Sequence, residues 1–330
     1  MRINEIRPNS LAKGQKDAYK KDLEFYQAQQ QGFIERACPG CGELREFEFD
    51  FIVKDLFTYF RCKACWSIFM NPGPTKEMIS IFYEISENYK FFSKYIYPVT
   101  RENRKKSIHQ SRATLVNKRI DELKKINSNP ISILEIGAGD GSTLSLIKEQ
   151  NPNIASTALE PNLDSILSGS GVNKNIRFVQ SSFEDFTTEI ERFDFIICFE
   201  VIEHLLHPEE VFKFVKRNLK PHGYFIFTTP NAHSVEINLL KEKSTSVDIE
   251  HISLLTPLSV HNLAVKNNFK VEVIEDNGLL DMDLIRHGLV GKNILRRLLI
   301  FALFKVSFQR FIKLWNISSN MSCVLKNINS

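Results

Sequence analysis

The sequence predicts an α/β protein with an open, mostly parallel sheet and a small domain in front of it. One observation is a change of hydrophobic period at residues 131–146, where a short β-branched run passes through a glycine-rich turn into helical spacing. Another is a series of later apolar runs that alternate with helical patterns, which is typical of a parallel sheet. A third is a pair of Cys-x-x-Cys motifs near the amino terminus, which indicates a separate small unit.

Length and composition are those of a globular protein of about two domains. The chain has 330 residues, of which 43% are hydrophobic and 25% charged, and its formal net charge is +4. So small a charge neither requires nor excludes a nucleic acid partner. No apolar segment follows Met1, so we expect no secretory signal and a cytoplasmic location. In that compartment the six cysteines are expected to be thiols or metal ligands rather than disulfides.

Residues 1–33 are polar and charged, and we expect a flexible or loosely helical arm. Residues 34–72 carry two cysteine knuckles, whose cysteines are Cys38, Cys41, Cys62 and Cys65. Each knuckle can place two thiolates on one metal, and two knuckles complete the four-sulfur shell of a structural zinc ion. The aromatic and β-branched stretches between the knuckles predict a zinc ribbon, with a redox role for one Cys-x-x-Cys motif as the alternative. A four-sulfur shell has no open position, so we expect no catalytic role for this metal.

Residues 73–126 are expected to form a helical linker. A turn rich in proline and glycine begins it, and Tyr83 lies in the helical stretch that follows. From Arg101 to Lys125 basic residues predominate. Such a run is usually a solvated helix face, and a phosphate-binding surface is the functional alternative.

The larger predicted domain covers residues 127–330, and its first strand ends near Glu135. Three glycines follow within five residues: Gly137, Gly139 and Gly141. Glycine allows positive φ and lets a ligand lie against the backbone in front of a helix N-terminus. A dinucleotide site has the spacing G-x-G-x-x-G, and here the third glycine comes one position too early, which argues against NAD. Glu160 ends the next apolar segment, where its carboxylate can accept hydrogen bonds from two ribose hydroxyls, and Glu135 is placed near the amino group of a cationic ligand.

Glu135 to Gly141 resembles the first motif of the class I S-adenosylmethionine-dependent methyltransferases, E/D-x-G-x-G-x-G. The resemblance continues in order with EVIEHL at 200–205, LKPHG at 219–223 and TPN at 229–231, although His222 stands where the family has glycine. It implies a Rossmann-like seven-stranded methyltransferase sheet in the order 3-2-1-4-5-7-6, with the seventh strand antiparallel. In such a sheet the ligands lie at the carboxyl ends of the strands.

The cofactor implied by the resemblance is S-adenosyl-L-methionine. The strands are expected at 131–136, 155–159, 176–180, 193–199, 224–229, 269–275 and 321–326. The predicted cofactor-binding residues stand at their ends: Glu135, Gly137, Gly139, Gly141, Glu160, Ser182, Phe183 and Glu200. No N-P-P-Y-like loop follows the fourth strand, which argues against methylation of the amino groups of adenine or glutamine.

The ribbon followed by IFMNPGPTKEMISIFYE at 68–84 resembles a subgroup of methyltransferases that act on nucleotide-linked sugars, including sugar C-methyltransferases. Trp66 departs from this subgroup, which has a glycine after the second knuckle. The resemblance implies that Tyr83 and Tyr89 reach over the cofactor, and simple packing of these rings is the alternative. Related C-methyltransferases carry a further carboxy-terminal domain, whereas this sequence ends at its seventh strand, so we expect O-methylation rather than C-methylation.

Methyl transfer requires alignment of donor and acceptor and removal of the acceptor's proton, for which histidine has a suitable pKa. By the resemblance, Glu250 and His251 match a Glu-His element beside the substrate, and His204 matches the histidine of an E-H-L motif. We expect His251 to be the general base, Glu250 to orient it or to bind the sugar, and His204 to assist. The alternative is that His204 only packs locally.

The predicted function is methyl transfer to oxygen, or to carbon, of a small polar acceptor, a nucleotide-linked sugar or polysaccharide precursor. One alternative is an RNA methyltransferase that binds through the ribbon, which requires strong salt dependence and is disfavoured by the small net charge. Another is a zinc-ribbon protein that binds the cofactor without catalysis. Residues 293–316 are expected to form amphipathic helices or a weak interfacial membrane contact, because their longest uncharged run is too short to span a bilayer.

Overall fold

The computed structural model describes residues 5–126, 129–187, 192–276 and 318–328. Near its start, helix α1 (Ala12–Gln29) buries Ala18, Asp22 and Tyr26, which recur every four residues on one face. Asp22 accepts hydrogen bonds from the backbone nitrogens of Glu87 and Asn88, at 2.7 and 3.0 Å. Over α1, therefore, the region expected to be a flexible or loosely helical arm is a packed helix whose Asp22 caps a helix of the linker.

The ribbon region forms an antiparallel sheet. Its strands are β1 (Phe47–Lys54), β2 (Phe57–Cys62) and β3 (Ile68–Met70). Phe47 and Phe69 pack edge to face beneath it, with ring centroids 5.2 Å apart. Aromatic pairs of this kind supply much of the core of so small a unit.

The linker that follows is helical. Its helices are α2 (Lys76–Ile85), α3 (Glu87–Phe91), α4 (Tyr97–Arg104) and α5 (Gln110–Lys124). The π-helical turns Phe92–Ile96 and Lys105–His109 join the last three helices into one continuous helical segment. A π-helical turn widens the helix locally and is often found at functional sites.

The main sheet has seven strands. After the linker, the described residues form the strands β4 (Ser132–Ile136), β5 (Ala155–Glu160), β6 (Arg177–Gln180), β7 (Phe193–Phe199), β8 (Leu219–Pro230), β9 (Ser253–Leu254), β10 (Phe269–Asp276) and β11 (Asn320–Asn327). All of these except β9 form one sheet in the order β10-β11-β8-β7-β4-β5-β6, with β11 antiparallel to both of its neighbours. This is the predicted order, and the Rossmann-like methyltransferase fold is confirmed.

Helices cover both faces of the sheet. They are α5 together with α6 (Ser142–Gln150), α7 (Leu163–Ser170), α8 (Pro208–Asn218), α9 (Val235–Leu240) and α10 (Pro257–Lys266). Alternate side chains of β8 point to opposite faces, so Phe225 packs with Phe212 of α8 and Ile226 packs with the cluster that contains Val116 of α5. The sheet is therefore buried on both sides, and its ligands are confined to the strand ends.

The ribbon and the main sheet are joined by hydrogen bonds. Strand β9 pairs antiparallel with β3, so that a segment between β8 and β10 becomes the fourth strand of the ribbon sheet. Arg36 is buried at this joint and donates hydrogen bonds to the carbonyl oxygen of Ile252 and to Ser253 Oγ, at 3.3 and 2.7 Å. The ribbon therefore fixes the chain directly after His251.

The expected amphipathic helices at 293–316 lie outside the described residues. Within the part of the chain that the structure describes, no helix combines the length and the apolar character that crossing a bilayer requires.

Candidate active site

A cavity of about 1960 Å³ lies at the carboxyl ends of β4, β5, β6 and β7, and the linker helices form its outer wall. Pockets for a single small ligand usually measure about 300 to 1000 Å³. The volume therefore suffices for a nucleoside-sized ligand together with a second molecule. Of the predicted cofactor residues, all except Gly141 line this cavity.

The glycine turn gives a ligand direct access to the backbone at one position. Gly137, Gly139 and Gly141 all have positive φ, at 68, 56 and 72°. A Cβ at Gly137 would lie 2.5 Å from Val201, and one at Gly141 would lie 2.9 Å from Phe178, so these two glycines serve packing. A Cβ at Gly139 would meet no described atom within 4 Å. The space in front of Gly139 is therefore where a ligand can approach.

Two acids flank this opening. Glu135 is buried, its Oε2 has no hydrogen-bond partner among the described residues, and burial raises its pKa to about 8. Glu160 accepts hydrogen bonds from the backbone nitrogens of Gly139 (2.8 Å, at Oε2) and Asn162 (2.9 Å, at Oε1). Burial also raises the pKa of Glu160, against the effect of these two bonds. A carboxylate oxygen can accept a second bond, so Glu160 keeps capacity for a diol.

The other predicted cofactor residues are held by neighbours. Ser182 Oγ donates to Asp185 Oδ2 at 2.8 Å, and Phe183 packs edge to face against Phe214. The carboxylate of Glu200 accepts hydrogen bonds from Thr228 Oγ1 and Asn320 Nδ2, at 2.5 and 3.1 Å. These bonds fix the side chains before any ligand is present.

The linker contributes cavity residues that sequence reasoning did not single out. Arg112 lies 3.6 Å from Glu200 Oε1 and packs over the ring of Phe199. Arg101 lies 3.3 Å from Asp140 Oδ2, and His109 Nδ1 lies 3.0 Å from Thr143 Oγ1. These contacts join residues more than 30 positions apart, so no local pattern could reveal them.

The basic stretch from Arg101 to Lys125 is not simply a solvated face. Arg101, Arg104 and Arg112 line the cavity. Arg119, by contrast, is mostly buried between Glu122 and Glu272, at 2.6 and 3.4 Å. The stretch therefore divides into cavity residues and paired residues.

His204 and His251 lie side by side, with ring centroids 4.8 Å apart. His204 sits in a 3-10 turn after β7, and its Nδ1 lies 3.0 Å from the carbonyl oxygen of Glu250. His251 Nδ1 lies 3.0 Å from the carbonyl oxygen of Ser246. A carbonyl oxygen can only accept, so we assign the proton of each neutral ring to Nδ1 and the lone pair to Nε2.

The two rings differ in access to the cavity and in protonation. His204 lines the cavity, whereas His251 is not among the described residues that line it. Burial, together with the neighbouring His251, lowers the pKa of His204 to about 3. Burial also acts to lower the pKa of His251, but the carboxylates of Asp248 and Glu203 outweigh it and raise that pKa above its ordinary value.

Glu250 lines the cavity, but its carboxylate faces the linker. Its Oε1 accepts a hydrogen bond from Asn88 Nδ2 at 2.9 Å, and burial raises its pKa to about 7. The ring of His251 is held by Ser246 and lies 3.7 Å from Asp248 Oδ2. The carboxylate paired with the His251 ring is thus that of Asp248, and the position of Glu250 in the cavity agrees with the other expected role, binding of the sugar.

The predicted aromatic residues of the linker reach the cavity. Tyr83 and Tyr89 both line it, and the ring of Tyr83 lies 6.2 Å from that of His204. The hydroxyl of Tyr89 lies 3.2 Å from Ser165 Oγ, which joins α3 to α7. Both tyrosines therefore line the cavity and also contact neighbouring side chains.

The four knuckle cysteines come together. Cys38 Sγ lies 3.4 Å from Cys65 Sγ, and Cys41 Sγ lies 3.6 Å from Cys62 Sγ. Two sulfurs on one tetrahedral zinc ion, each about 2.3 Å from it, are about 3.8 Å apart. The four sulfur positions therefore suit that ion.

Comparison with known proteins places this chain in a family. The profile described as "Methyltransferase domain" matches residues 108–273, just over half of the 330 residues. The chain belongs to this methyltransferase family. The matched region of the methyltransferase chain begins in the linker and includes the glycine turn, His204 and His251.

Curated relatives of this methyltransferase match over part of their length. The ubiquinone biosynthesis O-methyltransferase of Rickettsia bellii is 30% identical over 129 residues, which are 38% of this chain and 53% of the relative. The protein of that name from Coxiella burnetii is 24% identical over 156 residues, which are 46% of this chain and 64% of the relative. The chain thus spans between about half and two thirds of the length of these curated relatives.

Solved structures agree on the fold of the methyltransferase. The plantazolicin methyltransferase BpumL, solved with SAH, has a TM-score of 0.50 at 16% identity and covers 76% of this chain and 95% of its own. The plantazolicin methyltransferase BamL, also solved with SAH, has a TM-score of 0.51 at 14% identity and covers 76% and 94%. At these identities the likeness concerns the fold alone.

Proposed function

We propose that this protein transfers the methyl group of S-adenosyl-L-methionine to an oxygen of a small polar acceptor. The observation that carries the proposal is the cavity at the strand ends, which is lined by the open backbone at Gly139, by the buried carboxyl groups of Glu135 and Glu160, and by His204. Family membership supports methyl transfer, and the names of the curated relatives support oxygen as the receiving atom.

The cofactor would lie across the glycine turn. The unpartnered oxygen of Glu135 suits the amino group of its methionine part, and Glu160 suits the ribose hydroxyls. Ser182 and Phe183 are proposed to hold the adenine. A methyl sulfonium is already electrophilic, so the protein has to align the two reactants and manage the acceptor's proton.

The acceptor would occupy the part of the cavity beneath the linker. We propose a nucleotide-linked sugar or a polysaccharide precursor. Lys76, Lys94 and Arg104 line the cavity from the linker, and such cations suit the phosphates of a nucleotide. Tyr83 offers a flat surface beside His204 for the sugar ring.

The groups that act on the acceptor's proton are proposed to be His251 and His204, with Glu250 at the sugar. His204 lines the cavity and is neutral at pH 7, because burial and His251 hold its pKa low. His251 stands behind it and is held by Ser246. A neutral imidazole whose lone pair is on Nε2 can take a proton or bind a metal ion.

We also propose a structural zinc ion at the four knuckle cysteines, away from the reaction. We propose the cytoplasm as the location, because cysteines in a reducing compartment serve as thiols or metal ligands.

The test uses methyl-labelled S-adenosyl-L-methionine with three acceptor pools: nucleotide sugars, phenolic quinone precursors and total cellular RNA. Label in the nucleotide-sugar pool is the expected result. Label in the phenols keeps O-methylation but overturns the sugar acceptor, and label in RNA overturns both. If no pool is labelled while S-adenosylhomocysteine binds with ordinary affinity, the protein binds the cofactor without catalysis.

A further inference from the structure

We propose that Glu203, His204 and His251 form a binding site for one divalent metal ion at the acceptor end of the cavity. One carboxylate oxygen of Glu203 and one nitrogen of each histidine all lie within 4.8 Å of one another. Whether the ion binds is independent of the proposed function, and only its chemical role rests on that function.

The orientation of the two imidazoles supports this site. Each Nδ1 donates its proton to a backbone carbonyl oxygen, that of Glu250 for His204 and that of Ser246 for His251. Both lone pairs are therefore on Nε2. Histidines that bind metals usually donate their other N–H to a carbonyl or carboxylate in this way, because the bond fixes the tautomer and the ring plane.

The carboxyl group of Glu203 is a second, independent observation. Glu203 is 0% exposed, its Oε2 accepts a hydrogen bond from Thr229 Oγ1 at 3.0 Å, and its Oε1 has no partner among the described residues. Burying a carboxylate with one oxygen unsatisfied is unfavourable unless a positive charge compensates it. A cation beside the two imidazoles would supply that charge.

The nearby carboxylate of Glu200 is already engaged. It accepts hydrogen bonds from Thr228 and Asn320 and lies beside Arg112. We therefore leave Glu200 out of the ligand set. Two imidazoles and one carboxylate suit a first-row divalent ion such as zinc, iron or manganese, and three protein ligands leave positions open.

The open positions would face the acceptor, because His204 lines the cavity. The ion would bind the acceptor's hydroxyl oxygen and lower the pKa of its proton, which leaves to water. The oxygen then forms a bond to the methyl carbon as the carbon–sulfur bond breaks. Neutral S-adenosylhomocysteine and one proton are released, with no change of oxidation state. In this scheme the two histidines act as ligands rather than as bases.

The test is a titration of the full chain with Mn²⁺, in which binding is measured as the decrease of the electron paramagnetic resonance signal of the free ion. Thiolates prefer ions softer than Mn²⁺. The cysteine cluster is therefore loaded with zinc beforehand, so that Mn²⁺ reports the site of Glu203, His204 and His251. We expect one bound Mn²⁺ per wild-type chain and at least about tenfold weaker binding in Glu203→Gln and His251→Ala. His261→Ala removes an exposed histidine and should bind as the wild type does.

Each variant is also titrated with S-adenosylhomocysteine, so that a folding defect is recognised. Equal Mn²⁺ affinity in the wild type and in a folded Glu203→Gln variant contradicts the site, and so does a wild type that binds no Mn²⁺. If Mn²⁺ binds at these residues but no acceptor is labelled, the site stands and the proposed function fails. If an acceptor is labelled at an unchanged rate with chelator present, the function stands and the chemical role of the metal ion is contradicted.

Discussion

Two clusters of metal-type ligands stand in contrast in this molecule. The cysteine cluster comes from two short motifs, each of which holds two of its four ligands, and lies in the ribbon. The glutamate–histidine cluster joins a turn after β7 to the loop before β9, and one of its histidines lines the ligand cavity. The first cluster is closed by its own sulfurs, whereas the second is open toward a space for ligands. The proposed structural site and the proposed reactive site thus differ in how their ligands are distributed along the chain.

The largest expected effect concerns the cysteine cluster. Cys62→Ser removes one ligand from a site whose zinc would contribute about 10 kcal/mol or more to folding. We expect zinc content to fall from one ion per chain to almost none and the melting temperature to drop by about 10 °C or more. Metal analysis and a thermal melt measure this. Cys323→Ala, a buried thiol outside the cluster, is the control, and an unchanged melt in Cys62→Ser would show that the cluster is not structural.

The second prediction concerns the histidine cluster. His251→Ala should lower the rate of methyl transfer by about 100-fold, because either a base or a metal ligand is lost. The affinity for S-adenosylhomocysteine and the melting temperature should stay close to those of the wild type. Steady-state kinetics and calorimetry give these values, with His261→Ala as the matched surface variant. Full activity in His251→Ala would remove the cluster from the reaction.

The third prediction concerns Glu135, a buried carboxyl group outside both clusters that is proposed to bind the amino group of the cofactor. The pKa of Glu135 is raised to about 8 by burial, so the ligand-free carboxyl is protonated at pH 6. Binding an ammonium group requires the carboxylate, and below the pKa each pH unit should change the affinity about tenfold. The affinity for S-adenosylhomocysteine should therefore rise from pH 6 to pH 8 and then level off. Isothermal titration of Glu135→Gln should show weaker and nearly pH-independent binding, and an equal slope in both proteins would exclude this role.

The smallest expected effect concerns two residues with positive φ, one in the ribbon and one in the main sheet. Trp66 and His222 stand where the resembling families have glycine, and both have positive φ, at 65 and 61°. That conformation costs a residue with a Cβ about 1 kcal/mol. His222→Gly should raise the melting temperature by about 2 °C or more. Trp66→Gly should gain less, because it loses the contact with Arg61, whose guanidinium lies 5.3 Å from the indole. A larger gain for Trp66→Gly would show that this contact contributes nothing.

Sequence reasoning succeeded where a property depends on neighbours in the chain. The hydrophobic periods located the strands of the main sheet, and the spacing around Gly139 located the glycine turn that lines the cavity. The positive φ at Trp66 and His222 also agrees with their departure from glycine. Such features depend on a few consecutive residues, so they remain visible before folding.

The contacts between distant segments could not be predicted in this way. Arg112 was one basic residue in a run, and only the packing of α5 beside β7 brings it to Glu200. Asp22 and Asp248 carry no motif, yet Asp22 caps a linker helix and Asp248 accepts a hydrogen bond from the backbone nitrogen of His251. Glu203 lay inside a quoted motif and still was not singled out, because nothing local shows that its carboxyl group is buried.

The pairing of β3 with β9 has a consequence for how this protein could change in evolution. Two residues of β9, which follow His251 closely, take their register from the ribbon, and Arg36 anchors the same segment. A ribbon exchanged between relatives would bring its own register and shift the histidine loop with it. We therefore expect the ribbon and the segment with His251 and β9 to be inherited together.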